Sequence, residues 1–157
     1  MKKYLLFLLL ISQMVFSQMP NIESVWLNNS KPYTGTIGSQ NEVLKLKINI
    51  SEQDRKKDQE YFVSGYSLVQ NNYLNFEGKL KITKYKNTKN KGVVYGEYEL
   101  AEEYKGKKSG VFKGKFIYTF KWDKKAEKID AQYIELIGDW KSYDGTSRRR
   151  RYERSKL

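Results

Sequence analysis

The chain of 157 residues contains no cysteine and no histidine. Without cysteine it has neither a disulfide framework nor a lipid-modified cysteine. Without both residue types it lacks Ser-His-Asp and Cys-His nucleophilic systems and His/Cys zinc sites. The nucleotide signatures GxxxxGK[ST] and strand-to-helix GxGxxG are also missing. The sequence therefore predicts no bound metal and no cofactor, and it offers no catalytic residue of these kinds.

A pair of carboxylates is the remaining route to an enzyme. Strand alternation puts Glu97 with Glu99, and Glu135 with Asp139, on outer faces, where salt pairing is the ordinary interpretation. A calcium site built from loop oxygens has equally little support. The sequence thus favours a non-enzymatic protein, with a carboxylate-dependent enzyme as the alternative. The pool for that alternative is Glu97, Glu99, Asp123, Asp130, Glu135 and Asp139.

Long apolar runs are confined to the N-terminus. Lys2-Lys3 forms a basic n-region, residues 4–16 are mostly apolar but too few for an ordinary membrane-spanning helix, and Val15-Phe16-Ser17 suits a cleavage site. We expect residues 1–17 to be a secretory signal peptide and residues 18–157 to form one domain. A buried N-terminal helix is the alternative, but a β-rich body offers it no obvious slot. The protein is therefore expected to be exported, either periplasmic or secreted.

The charge balance is strongly basic, with 30 lysines and arginines against 18 acidic residues and a net charge of +12. Nucleic acid is the usual partner of such a chain. An exported protein instead meets anionic lipids, acidic glycans and envelope proteins, so we expect those partners and no nucleic acid. The competing interpretation is that the lysines keep sheet edges soluble and unpaired.

Residues 110–122, GVFKGKFIYTFKW, show the clearest pattern: apolar residues and Gly114 alternate with Lys113, Lys115 and other outward positions. Strict alternation predicts a half-buried β-strand. The motif of two apolar residues around a glycine recurs along the chain, and no stretch after the signal has a convincing helical period. We therefore expect an all-β domain. The expected strands are 33–38, 43–50, 61–69, 73–83, 93–100, 111–122, 131–142 and 146–154, with a short one around Ser24-Val25-Trp26.

Two turns predict strand registers. A two-residue type I′ turn at Asp144-Gly145 would place Trp140 opposite Arg149 and Gly138 opposite Arg151. It would also pair Asp139 with Arg150 and Glu135 with Arg154 on the solvent face. A tight turn at Asn71-Asn72 would place Gly65 opposite Gly78 and Val69 opposite Leu74.

Eight sequential antiparallel strands with inward glycines at mid-strand predict an up-and-down barrel, because glycine relieves the coiling that closure demands. A β-sandwich is the alternative. A membrane-spanning barrel is disfavoured, since the outward positions are lysine, glutamate and asparagine where lipid requires an apolar band.

Trp26 lies early in the chain, two residues after Ser24, and Gly138-Asp139-Trp140 lies near its end. In lipocalins an early Gly-x-Trp packs under an arginine of the last strand. Across residues 33–154 the predicted architecture resembles the lipocalin and avidin-like barrels. This resemblance implies a barrel whose mouth can hold a ligand.

The aromatic content is high, with 13 tyrosines and three tryptophans. Such residues suit glycan binding, because the apolar face of a sugar stacks on a ring. Tyrosine also favours strands and makes good cross-strand pairs, so packing is the competing interpretation. Tyr73, Tyr95 and Tyr143 fall on outer faces, whereas Tyr118, Trp122 and Trp140 fall on the inner face.

The predicted register puts Arg149 over the ring of Trp140, which favours cation–π packing at a barrel end. The alternative is an anionic ligand held by Arg149 and Arg151. We expect an exported, non-enzymatic barrel that binds a small anionic or amphipathic ligand, a glycan or an envelope partner. A purely structural envelope protein and an enzyme acting on a cell-surface polymer are the alternatives. The candidate ligand-binding residues are Arg149, Arg151, Trp140, Tyr118, Trp122 and Tyr143.

If the signal peptide is cleaved after Ser17, the mature protein begins at Gln18. Mass spectrometry of exported protein checks this expectation. A mature species that still carries residues 1–16 would contradict the expected compartment.

Overall fold

The computed structural model describes residues 21–123, 125–126, 128–145 and 148–156, and for 148–156 it describes the backbone alone. The predicted signal peptide, residues 1–17, lies outside the described residues. The fold is all-β, with seven antiparallel strands that curl into a half-barrel. The strands are β1 (Tyr33–Ile37), β2 (Glu42–Gln53), β3 (Glu60–Val69), β4 (Asn72–Thr88), β5 (Lys91–Glu102), β6 (Gly110–Asp123) and β7 (Lys128–Ser142).

Each strand pairs with its neighbour in the chain, so the connections alternate between two ends of the sheet. We call the end that carries the connections 38–41, 70–71 and 103–109 the upper end. The opposite end, which carries the connections 54–59 and 89–90, is the lower end. All predicted strands from 33 to 142 form, and most extend a few residues beyond the predicted bounds.

The predicted short strand around Ser24-Val25-Trp26 is wrong, because these residues lie in helix α1 (Glu23–Trp26), which is followed by a 3₁₀ turn (Asn28–Ser30). The helix brings Ile22 and Trp26, four residues apart, to one face, and both are buried. The Trp26 ring packs edge-on against Phe116 and Tyr61, with centroid distances of 4.8 and 5.8 Å. The Tyr33 hydroxyl donates to the Trp26 carbonyl over 2.9 Å. The helix thus fills the lower end of the concave face.

The predicted alternation of faces is confirmed over most of the sheet. Along β4, Leu74, Phe76, Leu80 and Ile82 are all buried, and each of the other six strands contributes at least two buried apolar residues. The largest fully buried side chains are Trp26, Tyr33, Tyr61, Tyr118, Phe76, Phe112, Phe116, Leu44, Leu46, Leu74 and Leu80.

Two inner-face positions of the predicted alternation, Ile50 in β2 and Trp122 in β6, are exposed to solvent for different reasons. In β2 the register shifts between Ile48 and Ile50, so Ile50 turns outward and is 55% exposed. A bulge reverses the alternation because one extra residue on one strand moves the following side chains to the other face. Trp122 keeps the predicted inner face of β6, because the extra residue at the Lys121/Trp122 register shift lies on β7, but its position near the hairpin tip leaves it 42% exposed.

Both turn predictions need correction. The β3–β4 turn is made by Gln70 and Asn71, with Gln70 at φ 53°, so Val69 faces Asn72 and Gly65 faces Phe76. This register differs from the predicted one by two residues, which leaves every side chain on its predicted face. After β7, the amide of Gly145 donates to the Ser142 carbonyl. Gly145 has positive φ and Asp144 does not, so the predicted type I′ turn is wrong.

The backbone of residues Arg148–Lys156, the C-terminal segment, is extended and runs antiparallel to β7. Its register is the predicted one, with Trp140 opposite Arg149 and Gly138 opposite Arg151. On its other side the segment pairs with β1, where Gly35 faces Glu153.

Glycines let β5, β6 and β7 approach closely on the concave face. A Cβ atom on Gly114 would collide with the Ile137 carbonyl and the Tyr98 hydroxyl, and would lie 2.6 Å from the Gly138 Cα. On Gly96 it would collide with the ring of Phe116, which is its cross-strand partner. Aromatic rings therefore occupy the space that these glycines leave on the inner face.

The Gly114→Val substitution is expected to destabilise the protein by about 1 to 3 kcal/mol or more, because the added side chain meets backbone that cannot move aside. Urea unfolding monitored by tryptophan fluorescence measures the change. Lys115→Val, at the next position and on the exposed face, is the control and should shift stability by no more than about 0.5 kcal/mol. Equal midpoints for the two variants would mean that the assigned faces are wrong.

Candidate functional site

The upper end holds a buried acid, Glu102, the last residue of β5. Its side chain is only 5% exposed and accepts hydrogen bonds from the Trp140 indole Nε1 at 2.8 Å and the Gly110 amide at 2.9 Å. The Ser67 hydroxyl donates to its other carboxyl oxygen. Every one of these bonds uses the carboxyl group as an acceptor, as the ionised form requires. Glu102 therefore links β3, β5, β6 and β7 across the concave face.

The turn after β7 also attaches to this acid. The Tyr143 hydroxyl donates to the Glu102 backbone carbonyl, and the Tyr143 amide donates to the Ser109 carbonyl at 3.1 Å. Burial and the negative charge of Glu102 raise the pKa of Tyr143, so its phenol stays protonated as the donor. The upper end is thus crossed by side chains rather than open.

A cavity of about 190 Å³ lies beside Glu102. Ile37, Val69, Phe112 and Trp140 provide its apolar wall, and lysines of the 103–109 connection reach its rim. Sites for drug-sized ligands usually measure about 300 to 1,000 Å³. This cavity can hold a small chemical group, but it is too small for a drug-sized ligand on the concave face of the half-barrel.

The sequence-predicted site residues separate into two groups. Trp140 and Tyr143 lie at the upper end, where Trp140 is buried and Tyr143 is 41% exposed. Tyr118 is buried farther down β6, and Trp122 lies at the lower end. The side chains of Arg149 and Arg151 lie outside the described residues, and only their backbone register is known.

Tyr118 has a packing environment. Its ring stacks on Phe120 at a centroid distance of 5.3 Å, and its hydroxyl donates to the Gln132 side chain at 2.6 Å. Burial raises the pKa of Tyr118 to about 12, so the hydroxyl remains a neutral donor. The ring and the hydroxyl of Tyr118 are therefore both occupied by neighbouring residues rather than available to a ligand.

A second feature, the outer groove, runs along the solvent face of β4 to β7 and has a volume of about 800 Å³. The backbone at Gly96, Gly114 and Gly138 contributes to its floor, at the place where the strands approach most closely. Tyr95 and Ile117 are half-buried in it, and Ile137 is 43% exposed. The rim consists of Thr83, Lys84, Lys86, Glu97, Lys113, Lys115 and Asp139.

The rim of the outer groove is basic. Lys113 donates to the Glu99 carboxylate at 2.8 Å, and this bond raises the pKa of Lys113. Lys86 lies 5.8 Å from the centroid of the Tyr95 ring. Lys84 and Lys115 form no ion pair with another described residue and are exposed. The groove therefore presents apolar surface, hydrogen-bonding groups and available positive charge together.

Carboxylates are not gathered into a reactive cluster in the part of the chain that the structure describes. Glu97, Glu99, Glu135 and Asp139 lie on the outer face, as the alternation predicts, and Glu99 is engaged by Lys113. No group of three acidic residues able to hold a metal ion occurs among the described residues.

Comparison with protein-family models, with curated proteins and with solved structures gives no match to this chain. Over the described residues, no helix has the length and apolar character needed to cross a membrane. The functional interpretation therefore depends on the geometry of the chain itself.

Sequence reasoning missed Glu102, the central residue of the upper end. It placed the end of β5 at residue 100 and so left Glu102 in a loop. The alternation of β5, if carried two residues further from the inward Leu100, would have put Glu102 on the inner face. No sequence signal indicated the outer groove, because it arises from the approach of three strands.

Replacing Glu102 with alanine is expected to lower the free energy of unfolding by about 3 to 5 kcal/mol, because it leaves buried donors of Trp140, Gly110 and Ser67 without their acceptor. Urea unfolding provides the measurement. Glu103→Ala is the matched control, since the neighbouring carboxylate is exposed and only contacts Asn75 over 3.5 Å. Similar losses in both variants would show that the upper end does not depend on Glu102.

Proposed function

We propose that this protein is an exported, non-enzymatic binding protein whose outer groove takes an acidic glycan. The observation that carries the proposal is the groove of about 800 Å³ on the outer face, with apolar surface in it and a basic rim. Export follows from the signal-like residues 1–17, and it brings the protein into contact with envelope and extracellular polymers.

The concave face argues for binding on the outside. Large aromatic and aliphatic side chains fill it, helix α1 occupies its lower end, and Glu102 with Trp140 crosses its upper end. The cavity beside Glu102 is small, at about 190 Å³. A ligand bound on the concave face would have to displace well-packed side chains. This displacement costs several kcal/mol per large residue.

The chemistry of the outer groove suits a polymer of acidic sugars. The Tyr95 ring can stack on the apolar face of a sugar, and Ile117 and Ile137 extend the apolar surface beside it. Glu97 and Thr83 can hydrogen-bond sugar hydroxyls. Lysines on the rim can pair with carboxylate or sulfate groups, and an open groove admits a chain that continues past both sides.

For the fold itself, we propose a closed eight-stranded up-and-down barrel of the lipocalin-like kind. The pairing of the C-terminal segment with both β7 and β1 supports closure. The backbone register places Arg149 opposite Trp140 and Arg151 opposite Gly138, so both arginines stay candidates for packing on Trp140 or for binding an anion.

A structural role in the envelope is the second candidate. The filled concave face and the crossed upper end favour it, since both give rigidity without a ligand. It predicts no saturable binding at the outer groove.

Binding to heparin and to polygalacturonate, measured by isothermal titration calorimetry with dextran as the uncharged comparison, tests the proposed function. The double substitution Lys84→Ser with Lys115→Ser should weaken binding about fivefold or more through lost charge. Tyr95→Ser should weaken it by a similar factor through lost stacking. Binding should decline steeply as salt is added.

Lys31→Ser with Lys45→Ser is the matched control, because both lysines are exposed and lie outside the groove. It removes the same charge and should change affinity little. An equal loss in the control would mean that binding depends only on the overall charge of the protein. If the intact protein bound neither polymer, the structural role would be favoured.

A further inference from the structure

The inner-face aromatic residues of β6 continue past the packed core. Phe116 and Tyr118 are each 1% exposed, Phe120 is half-buried, and Trp122 at the end of the series is 42% exposed. The other two tryptophans, Trp26 and Trp140, are 1% and 6% exposed. A tryptophan open to water at a strand end is the kind of exposed apolar residue that marks a contact surface.

Trp122 is part of a larger apolar tip. Its cross-strand partner in β7 is Ile129, which is 39% exposed. The Trp122 amide donates to the Asn90 carbonyl at 3.1 Å, which holds the tip of the β4–β5 hairpin beside it. A cleft of about 480 Å³ lies between these hairpins and is lined by Tyr85, Phe120 and Trp122 among others. We call residues 86–91, 121–123, 125–126 and 128–130 together the lower tips.

Lysines surround this apolar surface. The described residues of the lower tips include six lysines and two acidic residues, so they are strongly basic for so short a stretch. Lys89 and Lys91 are exposed and line the cleft beside Trp122, and Lys91 is the cross-strand partner of Lys121. Asp123 pairs in register with Lys128, which leaves the tip with an excess of positive charge.

We propose that the lower tips dock onto the surface of an anionic lipid bilayer. Tryptophan is suited to the boundary between acyl chains and head groups, because its ring is largely apolar while its indole N–H can hydrogen-bond. Lysines around such a ring can reach anionic head groups, and this attraction acts within about 10 Å of the surface at physiological salt. Trp122 and Ile129 supply the inserted part, and Lys89, Lys91 and Lys121 supply the charge.

This surface is separate from the outer groove. None of Lys89, Lys91, Trp122 and Ile129 lines the groove, and the groove lysines Lys84 and Lys115 do not line the cleft. The buried core does not include Trp122, so the protein does not need this side chain in order to fold. Membrane docking can therefore fail while glycan binding holds, and the reverse.

Sedimentation with vesicles of phosphatidylglycerol and phosphatidylcholine in equal amounts tests the proposal, using the folded chain without residues 1–17. Trp122 is the exposed tryptophan, so binding should shift tryptophan emission to shorter wavelength, and brominated lipids should quench it. Trp122→Ser should weaken binding about fivefold and abolish the shift. Lys89→Ser with Lys91→Ser should weaken binding about tenfold or more.

Lys107→Ser with Lys108→Ser, in the exposed 103–109 connection at the upper end, is the control of equal charge and should retain nearly full binding. The Lys84→Ser, Lys115→Ser protein should also retain it. Equal losses in the upper-end and lower-tip variants, or binding with unchanged Trp122 emission, would overturn the proposal. So would a shift of emission with rising protein concentration alone, which would show that a second copy of the chain covers the tips.

Discussion

The buried carboxyl group of Glu102 is the contact on which the upper end depends. A charge removed from water is tolerated only when it is well paired with hydrogen-bond donors, and the donors here come from Ser67, Gly110 and Trp140 on separate strands. Adjacent strands are already joined by backbone ladders. Glu102 adds links between strands that are not adjacent. These links fix the distances from β5 to β3 and to β7 at the upper end.

The lower end is held by different forces. Helix α1 brings the ring of Trp26 into contact with the rings of Tyr61 and Phe116, and hydrophobic burial dominates there. Between the two ends, rings from one strand cover glycines on the next, as Phe116 covers Gly96. The sheet can curl tightly because the glycines allow close approach and the rings refill the space. A buried polar network thus holds the upper end, and apolar packing holds the lower end.

Much of the strand pattern could be predicted from the sequence, because alternation such as that of residues 110–122 depends only on which face of a strand is buried. The register of β7 with the C-terminal segment was also correct, although the turn that connects them is not type I′. Features of three-dimensional origin were not predictable in this way. Ile50 follows a bulge that no local pattern marks, Trp122 is exposed because β6 extends past the core, and helix α1 is too short to show a helical period. Two of the residues that donate to Glu102, Ser67 and Trp140, lie 35 or more positions away in the sequence.

The pairing between β1 and the C-terminal segment has a consequence for the order of folding. Gly35 must meet Glu153, near the opposite end of the chain, whereas every other strand pair joins neighbours through a short connection. Closing so long a loop costs more entropy than forming a hairpin, so this seam should form last. Until then β1 has one unsatisfied edge, and a chain emerging from a ribosome keeps that edge until its final residues are made. That edge stays open to pairing with another strand for as long as the seam is unformed.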